Sequence, residues 1–542
     1  MKVAALCETH TAGLIPHFTV QVAVAAYQRA LEPGPGDAVV QIRLQHFTSA
    51  AFFYRGTVRW ARPRPRGTLI PFVACYPDGA MPAEEKNPAA AESARAWSPS
   101  SWKNYPALQQ PQYPDCEALE QALAELAELA PLVTSWEIIA LREQLAEAAL
   151  GRRFVLQGGD CAERITECSS QRITNRLKII LQMSLALVQG AQCPVIRIGR
   201  FAGQYAKPRS SDYEERDGVR LPSYRGDLIN HPEFTPQART ADPQLLIAGY
   251  ERAAITLNYI RALIKGGFAD LHHPEYWDLD WAHLSPMAEE YHRRVGSIKD
   301  SLRFMEHILG IRAGETDRID FYTSHEALHL GYEQAQTRRV PRRTGWFNLS
   351  THFPWIGIRT SSPDGAHVEY MRGIENPIGV KVGLATKLDD LLRLCDLLNP
   401  SNQPGRLTLI HRYGVETVSD GLPKMLKTIQ REGKIVLWVC DPMHGNTRTT
   451  STGLKTRSFD DIESELSQAF DIHQACGSRL GGVHIELTGE NVTECTGGAR
   501  GLSEADLSQA YETELDPRLN YEQSLEIAMM VAAKLASIRE ES

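Results

Sequence analysis

The chain contains no CxxC pair, and its ten cysteines are scattered irregularly over 542 residues. That spacing excludes a secreted disulfide framework and points to a reducing cytoplasm. No run reaches about 18 uninterrupted apolar residues, so no membrane span is expected. The opening MKVAALCETHTAGLIPHF places Glu8 and His10 where a signal peptide needs an apolar core. No basic block offsets the formal charge of −8, which argues against nucleic acid as the main partner. What remains is a soluble globular composition, 43% hydrophobic and 23% charged, with cations clustered locally in an acidic chain. Such clusters suit small anionic ligands.

The chain is too long for one ordinary core, so a large catalytic unit with an appendage is expected. Residues 1–76 hold alternating segments, VVQIRLQHF, AAFFYRGTVRW and TLIPFVACY, that read as strands of a small mixed domain. Residues 77–112, rich in Pro, Ala, Glu and Ser, read as a linker. Met81 within them is a candidate internal start. From residue 113 the pattern is regular. Two amphipathic helices, 117–130 and 135–151, precede eight strand candidates at 153–158, 194–199, 319–324, 346–351, 378–383, 406–411, 434–440 and 481–487. Helical periodicity fills most gaps, which predicts a (β/α)₈ barrel over 113–542, with a doubly wound sheet as the alternative. Residues 211–318 form an insertion between strands two and three, with helical stretches at 244–265 and 286–309.

Four potential metal ligands stand in rich contexts: Cys161 in QGGDCAE, His444 in CDPMHGNT, Glu486 in GGVHIELTGEN and Asp516 in YETELDPRLN. Taken singly, a cysteine after a strand is usually buried filler and a histidine near a strand end is usually structural. Their placement argues otherwise, because a barrel draws its catalytic groups from the carboxyl ends of its strands. Cys161 follows strand one, Arg200 ends strand two, and Lys381 lies near the end of strand five. Arg412 ends strand six, His444 follows strand seven, Glu486 is near the end of strand eight, and Asp516 is expected in a loop beyond a following helix. A thiolate, an imidazole and two carboxylates suit Mn²⁺, Co²⁺, Fe²⁺ or Zn²⁺ better than an all-oxygen Ca²⁺ or Mg²⁺ cage. Arg200, Lys381 and Arg412 lie in or beside buried strands, where a charge needs a partner such as an anionic ligand. KPRS, with Lys207, Arg209 and Ser210, offers a point charge, a bidentate fork and a hydroxyl to phosphate.

These segments together resemble the type II 3-deoxy-D-arabino-heptulosonate 7-phosphate (DAHP) synthases, which open the shikimate pathway. The resemblance runs from about Trp97 to the C-terminus through FVLQGGDCAE, RFAGQYAKPRS, LPSYRGDLIN, YTSHEALHLGYE, DGAHVEY, NPIGVKVG, NPSNQPGRLTLIHR, CDPMHGNT, GGVHIELTGENVTEC and DPRLNYEQSLE. It implies Cys161, His444, Glu486 and Asp516 as ligands of a divalent metal, with Mn²⁺ or Co²⁺ ahead of Fe²⁺ or Zn²⁺. It implies Arg200, Lys207, Arg359, Lys381 and Arg412 around phosphoenolpyruvate, and Arg209 and Ser210 at the phosphate of erythrose 4-phosphate. Lys207 or His444 would protonate the nascent alkoxide. The position before Arg359, commonly acidic in the family, is Ile358 here. The partners implied are these small molecules, further copies of the chain in a dimer or tetramer, and another enzyme of the pathway. Two alternatives are the same chemistry on another sugar phosphate in specialised metabolism, and a non-catalytic regulatory paralogue. The second sits poorly with a chain that keeps every implied ligand and cation.

Overall fold

The computed structural model describes residues 97–266, 268, 289, 293, 296 and 320–540. The expected strands of residues 1–76, Met81, most of the 77–112 segment and nearly all of the second insertion helix lie outside the described residues.

Eight short apolar runs form the strands β1 (Phe154–Gly159), β2 (Val195–Arg200), β3 (Phe321–Glu326), β4 (Phe353–Ile356), β5 (Ile378–Val382), β6 (Leu407–His411), β7 (Leu437–Cys440) and β8 (Gly482–Glu486). They close into a barrel in sequence order, every neighbouring pair parallel, with β1 pairing β8. Parallel strands are covered on both faces, which is why these runs are buried almost throughout rather than alternating between buried and exposed. Leu156, Val380, Leu409 and Ile485 face the outer helices, whereas Val155, Ile198, Ile410 and Val439 share a separate inner cluster.

Two helices precede the barrel, α1 (Cys116–Glu128) and α2 (Ser135–Ala149). Thr134 and Glu137 form a capping box at the start of α2, satisfying donors that the first turn leaves free. Leu141, Leu145 and Ala148 of α2 pack on Val155, Ile196 and Leu437, at the amino-terminal ends of their strands. The helix therefore seals that mouth. Around the barrel follow α3 (Ser170–Ala191), α4 (Gln244–Lys265), α5 (Ala366–Arg372), α6 (Leu388–Leu398), α7 (Val418–Arg431), α8 (Phe459–Ala475) and α9 (Tyr521–Glu540). The described part of the insertion between β2 and β3 contributes a hairpin, Tyr213–Arg216 with Val219–Pro222, and α4. Residues 97–113 lie against the barrel: the Trp97 indole donates to the Glu369 carbonyl at 2.9 Å, and the Trp102 indole donates to Gln334 at 2.9 Å.

Two expectations are corrected. Strand four is Phe353–Ile356, not 346–351; Phe347–Asn348 instead pairs with Thr337–Arg338 in a small antiparallel ladder. Pro354 makes FPWI look like a breaker by local propensity, but closure between β3 and β5 selects it. The shift matters because Arg359 now lies three residues past a barrel strand. Asp516 does not follow a barrel helix: between β8 and it lies a 3₁₀ turn, Leu507–Gln509, and α9 begins after it. It belongs to the loop at the carboxyl end of β8. Among the described residues no helix is long and apolar enough to cross a membrane.

Candidate active site

The carboxyl mouth holds a cavity of about 240 Å³. Ten of the eleven residues singled out in the sequence line it: Cys161, Arg200, Lys207, Arg209, Ser210, Arg359, Lys381, Arg412, His444 and Asp516. The eleventh, Glu486, is fully buried and bonded to Arg200, Lys207 and His444. Barrel register explains the meeting. Gly159 lies level with Arg200 on one side and Glu486 on the other. With no side chain between them, the Arg200 guanidinium reaches Glu486 Oε1 at 3.0 Å. A Cβ at Gly159 would stand 2.9 Å from the Arg200 carbonyl oxygen, too close to accommodate.

One side of the cavity is acidic. Donor atoms of Cys161, Glu486 and Asp516 all lie within 4.8 Å of one another, and His444 Nε2 is 3.0 Å from Glu486 Oε1. His444 Nδ1 is engaged by the buried Asp441 at 2.7 Å, which turns Nε2 toward the other three. A carboxylate behind a histidine is the usual support for a ligating imidazole. Burial opposes ionisation of Glu486, but His444, Lys207, Arg457 and Arg200 hold its carboxyl well below the usual range. Asp516 is likewise held down, by Lys207, Arg457 and Lys455. Burial and Glu486 push the Cys161 thiol up to about 12. The Lys207 ammonium touches Cys161 Sγ and lies 2.6 Å from Asp516 and 3.2 Å from Glu486. It shows that the cluster attracts positive charge. The mixed donor set fits a borderline divalent ion.

The other side is cationic. Lys381 pairs with Asp441, yet burial, reinforced by Arg200 and Arg412, brings its ammonium down to about 8. Arg200 lies over the Trp355 ring at 5.3 Å. It also contacts His484 Nε2 at 2.6 Å, while its buried Nε has no hydrogen-bond partner among the described residues. Arg412, half-buried, donates to the His444 carbonyl at 2.9 Å. Arg359 is exposed on the rim. Arg209, at the outer end, is held by Glu214 of the insertion hairpin at 3.1 Å, and Ser210 beside it is exposed.

Four residues of the site were missed in the sequence, although the motifs holding Asp441, His484 and Glu326 were quoted. Asp441 supports His444 and Lys381. Arg457 is fully buried and 2.9 Å from Glu486 Oε2. Neutral His484 accepts from Arg200; burial, with Lys381 and Arg200, keeps its pKa well down. Glu326 ends β3 and lines the cavity, with one buried oxygen unpartnered. Burial raises its pKa against the pull of Lys207, Lys381, Arg359 and Arg200. The strand-end rule points to Glu326 and Asp441; nothing local marks Arg457.

Residues 97–532 match the class-II DAHP synthetase family. Similar proteins include one from Neurospora crassa, 47% identical over 465 residues, covering 83% of this chain and 96% of the relative. Another, from Streptomyces coelicolor, is 45% identical over 434 residues, covering 80% of this chain and 96% of the relative. Both carry the name phospho-2-dehydro-3-deoxyheptonate aldolase. With a parallel eight-stranded barrel and this cavity at its carboxyl mouth, the chain belongs to the class-II DAHP synthetase family.

Proposed function

We propose that the chain condenses phosphoenolpyruvate with erythrose 4-phosphate and water, giving DAHP and inorganic phosphate as the first step of the shikimate pathway. The observation that carries this reading is one cavity with opposite halves, lined by five cations, Arg200, Lys207, Arg359, Lys381 and Arg412, beside the Cys161, His444 and Asp516 cluster. The cationic half suits a substrate bearing both a carboxylate and a phosphate. Arg209 and Ser210, at the outer end, suit the phosphate of the second substrate. That arrangement brings carbon 3 of phosphoenolpyruvate toward the aldehyde at the acidic half, converting an encounter into an oriented reaction.

Cys161, His444, Glu486 and Asp516 would hold the metal, for which we assign Mn²⁺ or Co²⁺. When bound, it supplies Lewis-acid polarisation of the aldehyde oxygen. Carbon 3 attacks the aldehyde carbon, and positive character develops at carbon 2. Water adds there, and the resulting phosphohemiketal expels phosphate to leave the keto acid. Arg200, Lys381 and Arg412 hold the carboxylate and phosphate through these changes and stabilise the charge as it moves. Lys207, whose ammonium lies against Cys161, Glu486 and Asp516, or His444, whose Nδ1 is engaged by Asp441, would donate the proton to the nascent alkoxide.

The test is phosphate release from phosphoenolpyruvate. Release that requires erythrose 4-phosphate and stops with chelator is expected. Equal release without the aldose phosphate, or preference for a different one, would replace this reading.

A further inference from the structure

The loops after β6 and β7 carry Arg412 and His444, and they touch through their backbones. A Cβ at Gly445 would stand 2.2 Å from the Gly414 nitrogen, and Gly414 itself has φ +97°. Neither position has room for a side chain. Glu465, on α8 and fully buried, reaches this junction from outside the barrel. One oxygen accepts from the Tyr413 N–H at 3.0 Å, and the other accepts from Asn446 Nδ2 at 2.7 Å; the Gly414 N–H also donates to the carboxylate. Asn446 crosses back, accepting from the Val415 N–H at 2.9 Å and donating to the Pro442 carbonyl at 2.8 Å.

We propose that Glu465 is a positioning residue that locks these two loops into one unit and thereby couples binding at the cationic half of the cavity to binding at the metal half. A buried carboxylate is costly to keep. Its surroundings are N–H donors, the Asn446 amide and the like-charged Asp441, so charge pairing does not account for it. Its bonds begin one residue after Arg412 and end two residues after His444. Between the staple points the Arg412 guanidinium meets the His444 carbonyl at 2.9 Å. A ligand that draws either side chain into place thus orders the other, and the coupling is reciprocal.

The inference rests on the proposed roles of Arg412 and His444, and the test separates the two. Calorimetric titration of phosphoenolpyruvate into metal-free and Mn²⁺-loaded protein is expected to show about fivefold or greater tightening by Mn²⁺ in the wild type. In Glu465→Gln the tightening falls to about twofold or less, because an amide cannot serve the Tyr413 N–H and Asn446 Nδ2 together. Asn446→Ser breaks the same bridge from the loop side and gives the same loss, which keeps the test open if the first variant fails to fold. Wild-type tightening retained in both variants overturns the proposal, as does a wild type that shows none. Arg412→Ala that leaves phosphoenolpyruvate binding unchanged overturns the site assignment beneath it instead.

Discussion

Lys207 and Lys381 are both buried in the same cavity, yet their surroundings push them in opposite directions. Around Lys207, Asp516, Cys161 and Glu486 outweigh burial and raise the ammonium above its usual value. Around Lys381, burial prevails with the help of Arg200 and Arg412, although Asp441 opposes it, and the pKa comes down to about 8. Burial is common to both, so the balance of neighbours decides the direction. The two halves of the cavity therefore differ in what converges on them. On one side donor atoms of Cys161, Glu486 and Asp516 lie within 4.8 Å of one another, and on the other Arg200, Arg359, Lys381 and Arg412 line the wall. In the proposed reading a metal ion would take the first and an anionic substrate the second.

Ways to break this contrast begin with the acidic half. Cys161→Ser should weaken metal binding and turnover by more than the roughly 100-fold that loss of an outer supporting residue can cost, with an unchanged circular dichroism spectrum. Asp441→Asn keeps all four proposed ligands but loses the carboxylate behind His444 and should cost about 10–100-fold in metal affinity, read by titration of the metal-free protein. In the cationic half, Arg412→Ala removes charge-assisted bonds worth about 2 kcal/mol, raising the KM for phosphoenolpyruvate about 30-fold. Metal affinity that fell equally in Arg412→Ala and Cys161→Ser would dissolve the distinction between the halves.

The pH dependence sharpens it. A lysine whose pKa is lowered to about 8 is charged below that pH and neutral above it. The kcat/KM for phosphoenolpyruvate should therefore fall as pH rises through about 8, since this parameter reports the free enzyme. Lys381→Arg should move that limb upward, because guanidinium stays charged. The smallest effect is expected far from the mouth. Thr134→Ala at the start of α2 should cost about 1 kcal/mol of stability by thermal melting and leave both KM values alone. A substrate-specific defect there would mean that global destabilisation mimics the site variants.

Much of the site was legible because a barrel converts sequence position into spatial position. Arg200, Lys381 and Glu486 lie in strands, and Cys161, Arg412 and His444 lie within a few residues of one, so counting from an apolar run places them on one rim. Arg457 was invisible by that logic. It comes from a small hairpin strand, Lys455–Arg457, on the loop after β7, and only the fold brings it to Glu486. Strand four shows the complementary failure. WFNLS and FPWI are comparable short apolar segments, and the proline favoured the wrong one locally. Asp516 reached the rim because the loop before α9 carries it there, not because a helix ended nearby.

By itself the sequence determined the barrel, through continuous apolar runs at helical intervals, and the chemical kinds of group that would meet at its mouth. Those follow from local pattern and residue type, which act over a few neighbours along the chain. The tertiary structure alone decided the electrostatic character of each half, the opposite pKa shifts of two buried lysines and the bridge from Glu465 to the loops after β6 and β7. Charge interactions and desolvation depend on distances between residues far apart in sequence, and those distances exist only once the barrel has closed.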